Sequence, residues 1–254
     1  MREINLGDVY VVEWLKPKLK NGVLIEGLPG IGNVGKIVTD YLIKELKAEK
    51  VCEVYSFYFP DRAIVEVNGV FRLPRDELYL YEKERGEGII LLTGDYQPPM
   101  HDLKGHYRVA RVILDLAVEY GCKTVITVAG LQSTTTRLVP DVYVVANDRE
   151  LLERLSGYGF KKNKHGRIFG AAGLLLSLSA EKGLKAFCIL ATTRGNFSDY
   201  LAAYHVLLKL KDVLDIKVDL AGMEREAEKV RMYIEGILGK RTEEEERKPP
   251  EYIG

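Results

Sequence analysis

The chain has 254 residues, enough for one large or two small domains with a continuous apolar core, so its size creates no need for metals or disulfides. Its 37 basic side chains balance 37 acidic ones, which leaves no global field for nucleic acid or anionic lipid. Its apolar runs, such as 88–93 and 171–178, fall far short of the roughly 20 residues a membrane span needs, and the start MREINLGDVY has no signal-peptide core, so the expectation is a cytoplasmic protein that binds neither nucleic acid nor membrane.

After an extended start over 9–14, residues 23–26 read as a buried strand, and GLPGIGNVG over 27–35 leads into a helix reaching about Lys47. Residues 51–59 alternate β-branched and aromatic side chains, and 63–67, Asn68-Gly69 and 70–73 predict a hairpin with a type I′ turn. The run GIILLTGD over 88–95 is a second buried strand. A helix follows over about 102–120, with Leu103, Tyr107, Ala110, Leu114 and Ala117 on one stripe and Gly121 beyond its end. Residues 123–129 give a third central strand, 142–146 a fourth, 170–181 a helix and 185–191 a further buried strand. Buried, non-alternating strands separated by helices predict one α/β domain over 1–238, a three-layer α/β/α arrangement with a largely parallel central sheet.

Two more helices are predicted, over about 199–211 and 219–238. In the second, Leu220, Met223, Ala227, Val230, Ile234 and Ile237 are spaced 3, 4, 3, 4, 3, a heptad seam that packs either on the domain's own helices or on another subunit. An oligomer contact is expected at this seam or at the hairpin around Asn68-Gly69. Residues 239–254 are highly charged and carry two prolines, and read as a flexible tail.

Gly30, Gly32 and Gly35 satisfy G-x-G-x-x-G between a predicted strand and a helix, a context in which backbone amides can hold phosphate. Lys36 almost completes a P-loop, but Ile37 stands where Ser or Thr would hold Mg²⁺. A dinucleotide fingerprint needs an acid about 20 positions on, and Glu49 and Glu53 fall before or inside a strand. The other reading is that these glycines permit a tight turn and close helix–sheet packing.

Three further loops, 93–98, 129–137 and 191–196, follow strand carboxyl ends, the edge where open α/β sheets gather ligands. Thr135 with Arg137 and Thr193 with Arg194 offer hydroxyl and guanidinium groups to an oxyanion, or else cap helices and pair with surface acids. There is no Gly-x-Ser-x-Gly and no His-Glu-x-x-His, His101 and His106 lie five apart, His165 sits in a polar loop and His205 is expected at a helix edge. No catalytic residue, metal or cofactor is assigned. Cys52, Cys122 and Cys188 are widely spaced among apolar residues and read as buried reduced thiols. Glutamine occurs only at Gln97 and Gln132 while Lys and Glu are plentiful, a bias that fits a hyperthermophile.

Taken in order, GLPGIGNVG, the aromatic strand with Phe59-Pro60-Asp61, LLTGDYQP, HYRVARVILDLAVEYGCK and TVAGLQ resemble the archaeal branch of the proteasome assembly chaperone family, second type, over roughly residues 8–238. The resemblance implies a nucleoside-phosphorylase-like α/β/α domain without catalysis, a homo-oligomer, and contact with proteasome α-subunits, another assembly protein or a paralogue. Some labels for the family suggest instead an ATP-grasp ligase, so a small-molecule enzyme or sensor with an oxyanion or nucleotide pocket is the competing class. Relatives that dock on the proteasome end in hydrophobic-Tyr-any; this chain ends Tyr252-Ile253-Gly254, with the tyrosine one position early and Glu251 before it.

Overall fold

Four apolar runs form the centre of the molecule: β3 (Gly22–Glu26), β8 (Gly88–Gly94), β9 (Cys122–Gln132) and β12 (Lys185–Thr193). The computed structural model describes residues 1–83, 86–134, 138–162 and 166–246, and in the last helix the side chains up to Gly236. These four strands are parallel, in the order β8-β3-β9-β12. Every residue of β8 is buried, and the reason is coverage on both faces: Ile90 and Leu92 join one core, Ile89 and Leu91 the other.

The first core lies under α2 (Leu103–Glu119) and α4 (Gly170–Glu181). The second lies under α1 (Val34–Glu45), α3 (Arg149–Ser156) and α5 (Tyr200–Leu214). Helices on both faces give the expected three-layer α/β/α arrangement. Asp102 caps α2 by accepting from the Gly105 N–H at 2.9 Å, and Gly121, at φ +89, ends it against the Leu19 carbonyl, where a Cβ would lie 2.1 Å from the oxygen.

The centre of the sheet is parallel, as expected, and the full ten-stranded sheet is mixed. Beyond β8 it continues through antiparallel strands β7 (Asp76–Glu82), β4 (Glu49–Ser56), β2 (Val9–Glu13) and β1 (Arg2–Asn5), and beyond β12 through antiparallel β10 (Val142–Ala146), which pairs in parallel with β11 (Lys161–Lys162). Short returns, which only antiparallel pairing can close, join β1 to β2 and β7 to β8, while β2 with β4, β4 with β7 and β10 with β12 pair antiparallel across longer stretches of chain. In the wing beyond β8, α2 covers one face; the opposite face carries stacked Tyr10 and Tyr55, 4.7 Å between centroids, and an ion-pair ladder in which Lys50 meets Glu53 (2.9 Å) and Glu77 (2.6 Å) while Arg75 meets the same two acids. This two-sided arrangement explains why β2 and β7 alternate in burial and β8 does not.

The hairpin predicted near Asn68-Gly69 is present as β5 (Ile64–Val65) and β6 (Phe71–Arg72), with a different turn. A type I′ turn requires positive φ at both central residues; here Gly69 alone has it (φ +83), Glu66 N–H donates to the Val70 carbonyl, and Asn68 Oδ1 accepts from the Val70 N–H. The loop is therefore three residues, 67–69. The segment expected as tail is also altered: α6 (Ala221–Glu246) runs past Leu238, because a stretch of Lys, Arg and Glu with high helix propensity carries the backbone helix on. Residues 247–254 lie outside the described residues. Cys52, Cys122 and Cys188 are free and buried, as their settings predict, with burial pushing each thiol up to about 12.

The heptad seam of α6 is an internal contact. Leu220 and Met223 join the core under α1 and α5, and Ala227 and Ile234 bury against Leu201 with Val230 half-buried beside them, so these oligomer candidates are covered by their own chain. The side chain of Ile237 lies outside the described residues. Ile234→Ala removes about three methylene equivalents at this contact and is expected to cost about 2–4 kcal/mol. Chemical denaturation with light scattering checks this: the midpoint falls and the mass stays, whereas a lost mass at unchanged stability makes the seam an intersubunit contact.

Candidate functional site

The carboxyl ends of β3, β8, β9 and β12 share one edge, and the loops there are drawn together by their own backbone and side chains. Gly35 places the first turn of α1 against β9: a Cβ on it would lie 2.3 Å from the Val128 carbonyl oxygen, and one on Gly27 2.1 Å from the Gly35 carbonyl oxygen. Gly32, at φ +63, packs on Thr193, whose Oγ1 would be 2.7 Å from a Cβ there. Gly30 is exposed and extended with open space about it. Gly32 and Gly35 thus sit in a tight, close-packed turn, while Gly30 stands open to solvent.

Several of the described polar side chains on this edge are engaged with one another. Lys36 Nζ lies 3.1 Å from Asp40 Oδ2 and donates to Thr93 Oγ1 at 3.2 Å. Thr193 Oγ1 donates to buried Asp199 Oδ2 at 2.7 Å and accepts from the Gly195 N–H at 3.2 Å, while Asp199 also caps α5 through the Ala202 N–H. Arg194 follows on the same loop, half-buried. Thr135 and Arg137 lie outside the described residues, as do His165, Tyr252, Ile253 and Gly254. The structure therefore brings Gly32 to Thr193, and sets Lys36 apart from them on the β8 side with Thr93.

Gln97 ties three of these segments together. Its Nε2 donates to the Pro29 carbonyl at 2.8 Å, and its Oε1 accepts from the Ala171 N–H at 2.8 Å, supplying the α4 N-terminus with the acceptor that Phe169 cannot offer. Gly170, at φ +72, makes room for it, since a Cβ would stand 2.5 Å from Gln97 Oε1. His106 and His205 are two helical histidines whose imidazoles burial pushes down. His205 stands edge-on to Tyr204 with its Nε2 buried. Among the described residues no group of three or more His, Cys, Asp or Glu is placed to hold a metal ion.

Just below this edge, two carboxyl groups are buried in the first core, and sequence reasoning missed both. Glu26 stands opposite Leu92 and Asp76 opposite Gly94, two residues on, so both point to the same face of the sheet. Glu26 Oε1 accepts from the Leu28 N–H at 3.1 Å, while its Oε2 and both Asp76 oxygens have no hydrogen-bond partner. Gly94 creates the space: a Cβ there would be 2.0 Å from Asp76 Oδ1. Burial pushes Glu26 up to about 8 against the pull of the Leu28 N–H. Burial also raises Asp76 well above the carboxylate range, helped by the charges of Asp95 and Glu26 and opposed by Lys36. Beside them, the bonds from Arg72 and the Arg75 N–H outweigh burial and hold Asp95 below its ordinary value.

The sequence signal for Glu26 was an acid closing the run GVLIE in a strand read as buried; for Asp76 there was none, because β7 itself was not foreseen. A carboxyl whose folded value is raised binds its proton more tightly in the native state, so its stabilising contribution is complete below the unfolded value and is lost as pH rises toward the folded one. The stability of the protein is expected to fall between pH 5 and 9 by up to roughly 4 kcal/mol from Glu26. Urea titrations across that range test this: Glu26→Gln flattens the decline, and equal slopes in variant and wild type contradict it.

The family model described as PAC2 family matches residues 24–238. An uncharacterized protein of Methanocaldococcus jannaschii is 31% identical over 247 residues, covering 93% of each chain. Among solved structures, Pyrococcus furiosus PbaB, described as an archaeal proteasome activator, superposes with a TM-score of 0.85 at 30% identity over 91% of this chain and 98% of that one. Pyrococcus furiosus PbaA, described as an archaeal homolog of proteasome-assembly chaperone, gives 0.74 at 26% identity over 95% of this chain and 96% of that one. The order of loop motifs, the mixed sheet with helices on both faces and these matches agree, and the chain belongs to the PAC2 family.

Proposed function

We propose that this chain is a non-enzymatic, homo-oligomeric scaffold or chaperone of the cytoplasm that serves proteasome assembly, with proteasome α-subunits, or another assembly protein or paralogue, as its partner. The observation that carries this reading is the mutual engagement of several described polar groups at the strand edge: Lys36 with Asp40 and Thr93, Thr193 with Asp199, Gln97 with Pro29 and Ala171. A small charged ligand binding there has to displace these contacts, whereas a protein surface does not. The loops and helix starts at this edge also leave Ile31, Met100, Leu103 and Phe169 exposed, apolar surface suited to a macromolecule. The descriptions of PbaB and PbaA support the proteasome as the setting.

Native mass spectrometry of the chain mixed with proteasome α-subunits or the assembled core is expected to give a complex, and its absence overturns the reading. A chain cut after Lys248 assigns the contact: loss of the complex places it at Tyr252, Ile253 and Gly254, and retention places it on the folded domain. In calorimetry, ATP, NAD and phosphate are expected to give no saturable heat with the wild type or with Lys36→Ala. Saturable heat that the variant loses returns the edge to a nucleotide or oxyanion pocket.

A further inference from the structure

The excursion between β4 and β7 carries the β5–β6 hairpin, a two-stranded sheet separate from the main one. Its polarity is inverted. Val65 pairs with Phe71 and Ile64 with Arg72, so alternation puts Val65 and Phe71 on one face and Ile64, Glu66 and Arg72 on the other. The face bearing the charges is held to the molecule at Arg72, whose Nη2 donates to Asp95 Oδ1 at 3.0 Å and whose Nε reaches Glu66, with Arg72 and Asp95 largely buried, while Val70, across from Glu66 on this face, is 61% exposed. The face turned away is apolar, with Val65 69%, Phe71 75% and Leu73 60% exposed, and Val67 at the turn fully so.

A hairpin that anchors through an ion pair and shows its apolar side to water is built for burial elsewhere. Four side chains of this size present on the order of 500 Å² of apolar surface, at the upper end of the largest patch on an ordinary monomer. With the flanking backbone this is close to the roughly 800 Å² per partner of a stable interface. A two-stranded hairpin is marginal alone, and both of its outer edges remain open to a further strand. The outward face bears no ionisable side chain, so an acidic or basic partner gains no charge contact there, while a copy of the same face meets it without repulsion.

We infer that the Val65–Phe71 face is where two copies of this chain join, hairpin against hairpin, across a twofold axis. The inference rests on the homo-oligomer of the proposed function and gives that oligomer its contact. It also replaces the α6 seam, where Leu220, Met223, Ala227 and Ile234 are covered within the chain.

The test is sedimentation velocity and native mass spectrometry of the full chain against the double variant Val65→Lys and Phe71→Lys, with Val118→Lys, an exposed apolar position on α2, as control. The double variant is expected to weaken self-association by about a hundredfold or more and lower the mass, with unchanged far-UV circular dichroism, while the control keeps the wild-type mass. Because the three native thiols are buried, Val65→Cys adds a single accessible thiol whose maleimide labelling should be slow in the oligomer and fast once dilution dissociates it. This second readout holds if the double variant fails to fold.

An oligomer whose mass the double variant leaves intact overturns the hairpin contact and spares the homo-oligomer. A wild type that is monomeric at every concentration overturns both, while the proteasome mixing experiment still judges the partner. If the double variant keeps its mass but loses the proteasome complex, the face belongs to the partner and the inference is wrong.

Discussion

Gly35 and Gly27 bring α1 into backbone contact with the sheet, at positions where any Cβ would stand 2.3 Å from the Val128 oxygen or 2.1 Å from the Gly35 oxygen. Much of the edge is organised around this approach. With α1 seated so low, the turn before it reaches across the ends of β9 and β12, where Asp199 N–H donates to the Gly32 carbonyl and Gly130 has space only for hydrogen beneath the Ile31 carbonyl. Thr39 Oγ1 donates toward the carbonyls of Gly27 and Gly35 and locks the same turn from the helix side. A glycine-rich sequence that elsewhere leaves room for phosphate here leaves room for protein backbone.

The sheet has two parts that solve burial differently. Its parallel centre is covered on both faces and tolerates almost only apolar side chains, and burial in the core beneath it makes Glu26 on β3 and Asp76, beside it at the start of β7, hold their protons so firmly. Its antiparallel wing is covered on one face and can afford the Lys50, Glu53, Arg75 and Glu77 ladder on the other. Arg72 belongs to this polar side through Asp95, and by holding the hairpin down with its charged face it leaves the apolar face outward. Close-packed strand edge, ionic wing and exposed hairpin are therefore consequences of where helices do and do not cover the strands.

Elements with long apolar runs or a clear stripe were legible in the sequence. The limits of α4 match residue for residue, α2 and the central strands agree within a few residues, and the buried cysteines followed from their apolar neighbours. Shorter or mixed signals were not. The segment DELYLYE of β7 opens and closes with acids, and its alternation became a strand only through pairing with β4 and β8. Helix α3 spans eight residues with an Asp148 cap, too short for the periodicity to stand out, and β11 has two residues that β10 alone makes a strand. At the site, Lys36 and Thr193 were recognised as polar residues at strand ends, but their partners Asp40, Thr93 and Asp199 come from other segments or other turns.

By itself the sequence determined the α/β class, the position of the glycine turn at a strand end, the hairpin and the ordered loop motifs that mark the family, because each is written in local spacing and composition. The tertiary structure decided what no local pattern contains. It set the direction of the outer strands, turned the α6 seam inward onto α5, opposed Gly94 to Asp76 so that a carboxyl fits inside the core, and aimed the apolar side of the hairpin at solvent. Those outcomes depend on which segments meet across the sheet, and side-chain alternation within one strand says only that two faces differ, never which of them the rest of the chain will cover.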